Sequence, residues 1–530
     1  MSVAAVAALP GGVGRSQGQR PLLRLGGYVA LAKSTWMGVA QAGDVLEVLR
    51  LRAPAWRWRD LALRRPHVQL RGLFTRELSI AEASFVLMAS FFFSALLGGV
   101  RQVLFNVQFG AGAEANAYYA AFRLPDTLFS LVAGGALSSA MIPVLLSVDR
   151  EEGVRGEWRL TSLVLTSLVA FFALVMVVGE AFTPAFVTKL LAPGFDPPTS
   201  QLTIALTRIM LLQTVILAVG SVATAVLNSR NQFLLTALSV ASHNIALIGG
   251  IVAAALYPSL GIYGPTLGVV AGAILQVLIL LPGLAGREFR YRPAWDLGDA
   301  HLREVIRLLI PNGLSVGVNY AGFILDTAFA STAREAAALP AINNAWLLVG
   351  LPIALLGQAV GQSAFPRLAA RAAAGEWQEL RRTLLRSLGV AVALALPAVL
   401  GMLLLGRPAI HILFEHGRYD AAAGALTFAM LVPYSIGLPF FVGTEVITRG
   451  LIALRDTRTP LITNSLQLIG RGTLMALLVG TIGVVAIPLA FVISASVETL
   501  ALGSVLLAKL QRRLGSEAPG MAPAAAGTIP

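Results

Sequence analysis

The chain of 530 residues has too much apolar sequence for a soluble protein, because 56% of its residues are hydrophobic, only 13% are charged, and its mean hydropathy is +0.76. It contains no cysteine, which excludes disulfides, thiol catalysis and thiolate metal sites. The net charge of +13 does not indicate a nucleic-acid partner, because most of it lies in residues 1–77, ahead of the first apolar segment.

These first 77 residues predict a basic, poorly ordered cytoplasmic tail. They hold 12 Lys and Arg against 4 Asp and Glu, and no apolar run in them is long enough for a signal peptide or a spanning helix. A basic segment beside a membrane favours contact with anionic lipid headgroups. Residues 56–65, WRWRDLALRR, have the Trp and Arg content of a short interfacial helix. A start codon assigned too far upstream explains the same segment equally well.

Twelve apolar segments follow the tail, each long enough to cross a hydrocarbon layer of roughly 30 Å. They lie near residues 79–107, 115–147, 160–190, 201–228, 232–256, 261–285, 304–330, 336–366, 384–405, 422–450, 459–480 and 483–509. Their apolar runs are unbroken, and helices satisfy their own backbone hydrogen bonds in lipid. The predicted fold class is therefore all-α, a polytopic membrane protein with about twelve transmembrane helices.

The distribution of Lys and Arg predicts that both termini are cytoplasmic. With the N-terminus inside, the tails and cytoplasmic connections hold 32 of the 40 basic residues, and the opposite side holds 4. Cytoplasmic loops of membrane proteins retain positive charge, so this orientation is favoured. The remaining 4 basic residues lie inside apolar segments and are Arg101, Arg123, Arg208 and Arg471.

The sequence also repeats itself at half length. Residues 134–143, GGALSSAMIP, align with residues 357–366, GQAVGQSAFP, and each is followed by a charged cytoplasmic loop. With six helices in each half, the repeats are parallel and related by an axis along the membrane normal. We expect a first half at 78–285, a cytoplasmic linker at 286–303, a second half at 304–510 and a cytoplasmic tail at 511–530. Substrate should bind in a central cavity between the halves.

Arg101 and Arg123 are the first candidates for a substrate site. An arginine near the middle of a membrane helix costs roughly 2.5–3.5 kcal/mol, so it normally faces a bundle interior or a water-filled cavity. The alternative is that the side chain reaches a headgroup layer, which is easier for Arg123 than for Arg101. Arg208 in the fourth segment is a third candidate, and a structural ion pair explains its presence equally well.

Short motifs across the chain resemble one family of membrane transporters. They are Ser94, Leu97–Gly98, Arg101 and residues 109–112 (FGAG), 121–125 (AFRLP), 135–137 (GAL), 142–143 (IP), 227–233 (LNSRNQF), 413–420 (LFEHGRYD) and 456–460 (DTRTP). Through these residues, over about 80–510, the chain resembles the MurJ (MviN) lipid II flippases of the multidrug, oligosaccharidyl-lipid and polysaccharide exporter superfamily. It departs from them in two ways. The family usually has fourteen helices, whereas twelve apolar segments are found here, and the last two helices of the family help form a lipid-tail groove. In addition, three of the family's cavity arginines align with Ala95, Phe129 and Leu347.

The resemblance implies a transport site. Arg101 corresponds to a cavity arginine of the flippases and is expected to bind the substrate diphosphate, because guanidinium groups bind oxyanions bidentately. Arg123 and Arg208 are expected to join it in binding substrate. Asp326 resembles the carboxylate that binds sodium in some family members, and Arg471 stands where a neutral ligand is usual. We expect these two to form a buried ion pair in which the guanidinium takes the charge role of the ion, the alternative being that each faces water separately.

No catalytic residue, cofactor or metal site is predicted. The sequence shows no Ser/His/Asp set, paired-carboxylate site or Walker motif in a plausible context. His411, Glu415 and His416 could suggest a metal site, but the two histidines are five positions apart and lack the i, i+4 spacing of a histidine pair on one helical face. The predicted function is that of a monomeric flippase, not an enzyme, which moves an undecaprenyl-diphosphate-linked peptidoglycan precursor, lipid II, across the cytoplasmic membrane by alternating access. The alternatives are another exporter of the superfamily, for a polyprenyl-linked glycan or a drug, and a degenerate homologue that serves as a scaffold.

Overall fold

The computed structural model describes residues 80–132, 136–285 and 291–515. The predicted basic tail at 1–77 and the chain from residue 516 onward lie outside the described residues, as do positions 134 and 135 of the first repeat motif.

All regular structure among the described residues is helical. The α-helices are α1 (Ile80–Phe109), α2 (Ala113–Val132), α3 (Ala136–Phe186), α4 (Pro197–Ser229), α5 (Phe233–Leu256), α6 (Tyr263–Ala285), α7 (Ala300–Thr332), α8 (Ala338–Pro352), α9 (Ala359–Ala374), α10 (Trp377–Leu413), α11 (Ala421–Ala453), α12 (Arg458–Ile482) and α13 (Ala486–Gly515). Short π-helical turns at Val187–Leu191 and Ile353–Gln358 follow α3 and α8.

These helices confirm the all-α class and fit the predicted apolar segments. The second segment is divided between α2 and the start of α3, and α3 continues into the third segment through a break at Gly153, where φ is 67°. By length and hydropathy, eight helical runs among the described residues qualify as membrane spans. Two of them, Leu137–Leu191 and Arg458–Gly515, each take in parts of two predicted segments. The membrane class is thus confirmed, and the number of twelve spans stays a prediction.

The same helix pairings occur in both halves of the chain. α3 packs on α4 as α10 packs on α11, α4 on α6 as α11 on α13, α5 on α6 as α12 on α13, and α1 on α5 as α7 on α12. This pattern is the one expected of two parallel repeats. The halves meet where α7 packs on α2 and α3 and where α8 packs on α2, so these helices border the space between the halves. The exact boundaries of the two domains stay a prediction.

Glycines at four-residue intervals let α6 pack against α5 backbone to backbone. A Cβ added at Gly264 would collide with the carbonyl of Gly250, and one at Gly268 would lie 3.0 Å from the carbonyl oxygen of Ala246. Gly272, one turn further along, lies against both the side chain and the backbone of His243, because a Cβ there would lie 2.8 Å from Nδ1 and 3.1 Å from the carbonyl oxygen. In lipid, apolar side chains gain little by leaving the hydrocarbon, so close backbone approach through small residues is what holds such helices together.

Asp456 ties the turn between α11 and α12 to α13. Its carboxylate accepts hydrogen bonds from the amide and the hydroxyl of Thr459, at 3.0 and 2.5 Å, and it pairs with the ammonium of Lys509. Burial acts to raise the pKa of this carboxyl, but the bonds from Lys509 and Thr459 outweigh it and hold the pKa at about 2.

We expect Asp456→Asn to lower the free energy of unfolding by about 1–3 kcal/mol at neutral pH, because charge-assisted hydrogen bonds are lost. The folded pKa lies below the unfolded value of about 3.9, so the stabilisation by Asp456 is complete above that value and is lost as the pH falls through about 2. Thermal unfolding in detergent at a series of pH values measures this. The exposed Asp149→Asn is the control, and a gap between Asp456→Asn and the parent that stays constant with pH would contradict the assignment.

Candidate functional site

Three adjoining cavities are together called the central cavity below. Two of them are lined by helices of both halves, and the smallest is lined by helices of the first half. The largest has a volume of about 600 Å³, and the smaller ones measure about 280 and 250 Å³. Asp126 of α2 lines all three, and Arg123 lines the largest cavity and the 280 Å³ cavity. A cavity between the halves is where the repeat predicts that substrate binds.

Arg101 lies on the wall of the central cavity. Its half-buried side chain lines the 280 Å³ cavity and donates a hydrogen bond to Oδ1 of Asn244 at 3.2 Å. Asn244 in turn donates to Oγ of Ser94 at 3.1 Å, so α5 and α1 together hold the guanidinium in place. The predicted position beside a cavity, rather than in a headgroup layer, agrees with this geometry. Contact with a substrate stays a prediction.

Arg123 joins the two halves. From α2 it donates through Nε to Thr327 of α7 at 3.1 Å and through an Nη to Oδ1 of Asn343 of α8 at 3.2 Å. The ring of Phe323 lies 5.4 Å from its guanidinium carbon, within the range of a cation–π contact. Arg123 therefore brings a positive charge to the boundary between the halves, as the sequence predicts, and it is held there by second-half residues.

Arg208 is not brought to the central cavity, which corrects its assignment to the substrate site. Its side chain is 45% exposed on α4 and forms an ion pair with Glu180 of α3 at 3.3 Å. It also donates to the Glu180 carbonyl at 3.1 Å. The structural ion pair, the alternative that the sequence left open, accounts for Arg208, because a neighbouring carboxylate satisfies the charge without help from a cavity.

Asp326 and Arg471 form the predicted ion pair. An Nη of Arg471 on α12 donates to Oδ2 of Asp326 on α7, and the two side chains are 7% and 4% exposed. The Arg471 guanidinium also lies 4.2 Å from the centre of the Phe491 ring. Gly322, one turn before Asp326, makes room for it, because a Cβ there would lie 2.9 Å from Nη1 of Arg471. The two groups are thus paired in the structure rather than separately hydrated. That the guanidinium takes the charge role of an ion stays a prediction.

The acidic residues of the cavity were not predicted from the sequence. Asp126, Glu445 and Glu498 line the 600 Å³ cavity alongside Asp326. Glu445 lies 3.9 Å from Arg449, and Glu498 accepts a hydrogen bond from Thr463 at 3.5 Å. The cavity therefore carries mixed charge where the sequence predicted a basic one. The signal was available, because ionisable residues inside apolar segments indicate functional positions whatever their sign.

Two of the positions where the family's arginines are replaced also face the central cavity. Phe129 lines the 250 Å³ cavity and Leu347 the 280 Å³ cavity. Ala95 is exposed and is not among the residues described as lining these cavities. The wall of the central cavity thus has apolar groups at two places, one in each half, where the resemblance implies guanidinium groups. Arg101 and Arg123 remain as candidates to bind an oxyanion there.

Comparisons with known proteins agree with this architecture. The family model described as lipid II flippase MurJ matches residues 105–522. The lipid II flippase MurJ of Burkholderia cenocepacia is 30% identical over 373 residues, which cover 69% of this chain and 72% of that protein. The probable lipid II flippase MurJ of Rhizobium meliloti is 28% identical over 376 residues, 70% of each chain.

Solved structures show the same fold. A lipid II flippase MurJ in an inward closed conformation superposes with a TM-score of 0.69 and 23% identity, covering 81% of this chain and 91% of that one. An inward-facing MATE family multidrug resistance transporter of the MOP superfamily superposes with a TM-score of 0.68 and 14% identity, covering 80% and 96%.

Proposed function

Because the chain belongs to the lipid II flippase MurJ family, we propose that it flips lipid II from the inner to the outer leaflet of the cytoplasmic membrane by alternating access. It is a multi-pass protein of the cell membrane and acts as a transporter rather than an enzyme. In the proposed orientation both termini are cytoplasmic, anionic lipids contact the basic tail, and the chain works as a monomer.

The observation that carries the proposal is the pair Arg101 and Arg123 on one wall of the central cavity. Both line the 280 Å³ cavity, together with aromatic side chains such as Tyr118 and Trp346. A low-dielectric wall strengthens the attraction between a guanidinium and a phosphate oxygen. The lipid diphosphate would sit against this wall. The 600 Å³ chamber, lined mostly by second-half residues and by several charged side chains, would face the sugar and peptide of the headgroup.

The mixed charge of that chamber supports a second candidate, another exporter of the same superfamily. Glu445 and Glu498 would favour a cationic group on the cargo, and the apolar Phe129 and Leu347 reduce the positive charge offered to a diphosphate. A drug or a different polyprenyl-linked glycan fits these features. The scaffold alternative is less favoured, because a scaffold does not need charged groups around an internal cavity.

Complementation distinguishes these functions. We expect expression of this chain to restore growth and lipid II export to a strain depleted of its own lipid II flippase. Outer-leaflet lipid II is measured by its accessibility to an added lipid II-degrading enzyme, and immunoblots of membranes verify that the protein accumulates. Normal accumulation without outer-leaflet lipid II would shift the assignment to a different cargo.

A further inference from the structure

At one end of the bundle, each half reaches across to the other through a loop that contains a glycine. Residues 192–196 connect the π-helical turn after α3 to α4, and residues 414–420 connect α10 to α11. Gly194 contacts Ser331 and Thr332 at the end of α7, and this contact is called the first latch. Gly417 contacts Val107 near the end of α1, and this contact is called the second latch.

In the first latch the loop backbone lies directly on the backbone of α7. The amide of Gly194 donates to Oγ of Ser331 at 3.1 Å. A Cβ added to Gly194 would collide with the carbonyl of Ser331 and would lie 2.7 Å from Cα of Thr332. Because the obstacle is main chain at a helix end, it cannot rotate aside as a long side chain would.

The second latch has the same construction with the halves exchanged. The amide of Arg418 donates to the carbonyl oxygen of Val107 at 3.0 Å. Gly417 adopts a φ of +62°, and a Cβ there would collide with that carbonyl. Buried Phe414 and Tyr419 hold the loop on either side, and the Tyr419 hydroxyl lies 2.5 Å from that of Thr427.

The two latches are counterparts under the internal repeat. α1 and α7 are the first helices of their halves, and each glycine loop follows the third predicted segment of its half. Each loop also ends on an aspartate at the N-cap of the next helix, Asp196 before α4 and Asp420 before α11. A chance contact between a loop and a helix end would not recur at the equivalent position of the other half. The two latches therefore indicate a shared role.

A seam of hydrogen bonds between the halves lies close to the latches. Asn116 at the start of α2 donates to the carbonyl of Ala336 and accepts from the amide of Leu339 at 3.2 Å. Deeper in, Nε2 of Gln102 on α1 donates to Oδ1 of Asn344 on α8 at 2.7 Å. The two halves are therefore bonded together at this end of the bundle.

We propose that the two latches form the gate that closes the central cavity on the extracytoplasmic side, and that they part together when cargo leaves. The loops suit a gate because the direct contacts of Gly194, Gly417 and Arg418 with the opposite helix ends are single hydrogen bonds and close main-chain approaches. Gly194 itself is exposed. The inference rests on the proposed alternating access and on the predicted orientation, but not on lipid II as the cargo.

Thiol labelling tests the gate, since the chain has no cysteine of its own. Leu347→Cys places one thiol on the cavity wall, and a membrane-impermeant charged maleimide is added to the outside of cells or to inside-out vesicles. Adding Gly194→Val should force the first latch apart, so that labelling becomes about tenfold faster from outside and slower from the cytoplasmic side, as expected for a shift between two states. Gly194 is the better site for this test than Gly417, because it lacks a positive φ.

Two further variants make the result decisive. Gly112→Val, in the turn after α1, adds the same side chain where a Cβ meets nothing within 4 Å, and it should label like the parent. Ser331→Ala removes the hydrogen bond of the first latch without adding volume and should shift labelling the same way by a smaller factor, which preserves the test if the valine variant fails to accumulate. Unchanged labelling from outside would overturn the proposal, and faster labelling from both faces would overturn it too, because that indicates general loosening. If the labelling shifts as expected but the chain does not export lipid II, the proposed cargo is wrong and the gate proposal stands.

Discussion

Replacing Arg101 with alanine should abolish flipping, lowering the rate roughly 30-fold or more while the protein still accumulates in the membrane. Truncating one member of a desolvated, hydrogen-bonded charge pair costs about 2–5 kcal/mol, and each 1.4 kcal/mol corresponds to about tenfold in affinity. The measurement is the rate at which lipid II reaches the outer leaflet, normalised to the amount of protein.

The matched control is Arg208→Ala, which removes the same charge from an apolar segment. Arg208 is paired with Glu180 outside the cavity, so its loss should leave the flipping rate within about twofold of the parent. Arg101→Lys should recover part of the rate, because a lysine retains the charge without the bidentate geometry. Equal losses in Arg101→Ala and Arg208→Ala would remove the basis for placing the diphosphate at Arg101.

Asp326→Asn should be the most destabilising single substitution at the site, by roughly 3–5 kcal/mol, because it leaves the buried Arg471 without its counter-ion. Thermal unfolding of the purified protein in detergent measures the effect. Removing both charges, as Asp326→Asn with Arg471→Gln, should recover much of the loss. If the guanidinium takes the charge role of a bound ion, as we propose, transport by the parent should be unchanged when potassium replaces sodium.

Glu445→Gln provides the comparison for that experiment. Glu445 and Arg449 are also an acid and a base in the same cavity, but they are about one-third exposed and 3.9 Å apart. Such a pair contributes at most about 1 kcal/mol. If Asp326→Asn cost no more than Glu445→Gln, or if the double variant were as unstable as the single one, the ion pair would not be what stabilises the second half.

The features of this protein that could be predicted from sequence are those that depend on the free energy of placing a residue or segment in lipid, whatever its partners in the fold are. Apolar length alone located the helices. Asp326 was identified through the resemblance to the family, and the expense of a charge in lipid singled out Arg101 and Arg471. Arg208 met the same criterion and was misplaced, since cost alone does not say whether a partner on the next helix or a cavity satisfies the charge. Glu180 lies 28 positions away along the chain, and nothing in the local pattern joins the two.

Features that depend on two distant backbones were harder to predict. Asn343 and Asn344 stand in an ordinary apolar segment, yet one bonds Arg123 and the other bonds Gln102, more than 200 positions away in each case. From the local sequence, Gly194 and Gly417 are ordinary loop residues. They are required to be glycine because main-chain atoms of the opposite half lie directly against them. Such contacts are set by how the halves pack, which a single sequence does not state.

The glycine row between α5 and α6 has a mechanical consequence. Two helices in contact along several turns of bare backbone cannot slide or roll without opening a gap along their whole length, and lipid tails are too bulky to fill a narrow gap. The pair should therefore move as one stiff element throughout any cycle. His243 and Asn244 lie on α5, so Asn244, which orients Arg101, moves together with the α5–α6 pair. The relative motion needed for opening must then occur at helix surfaces that contact each other through side chains.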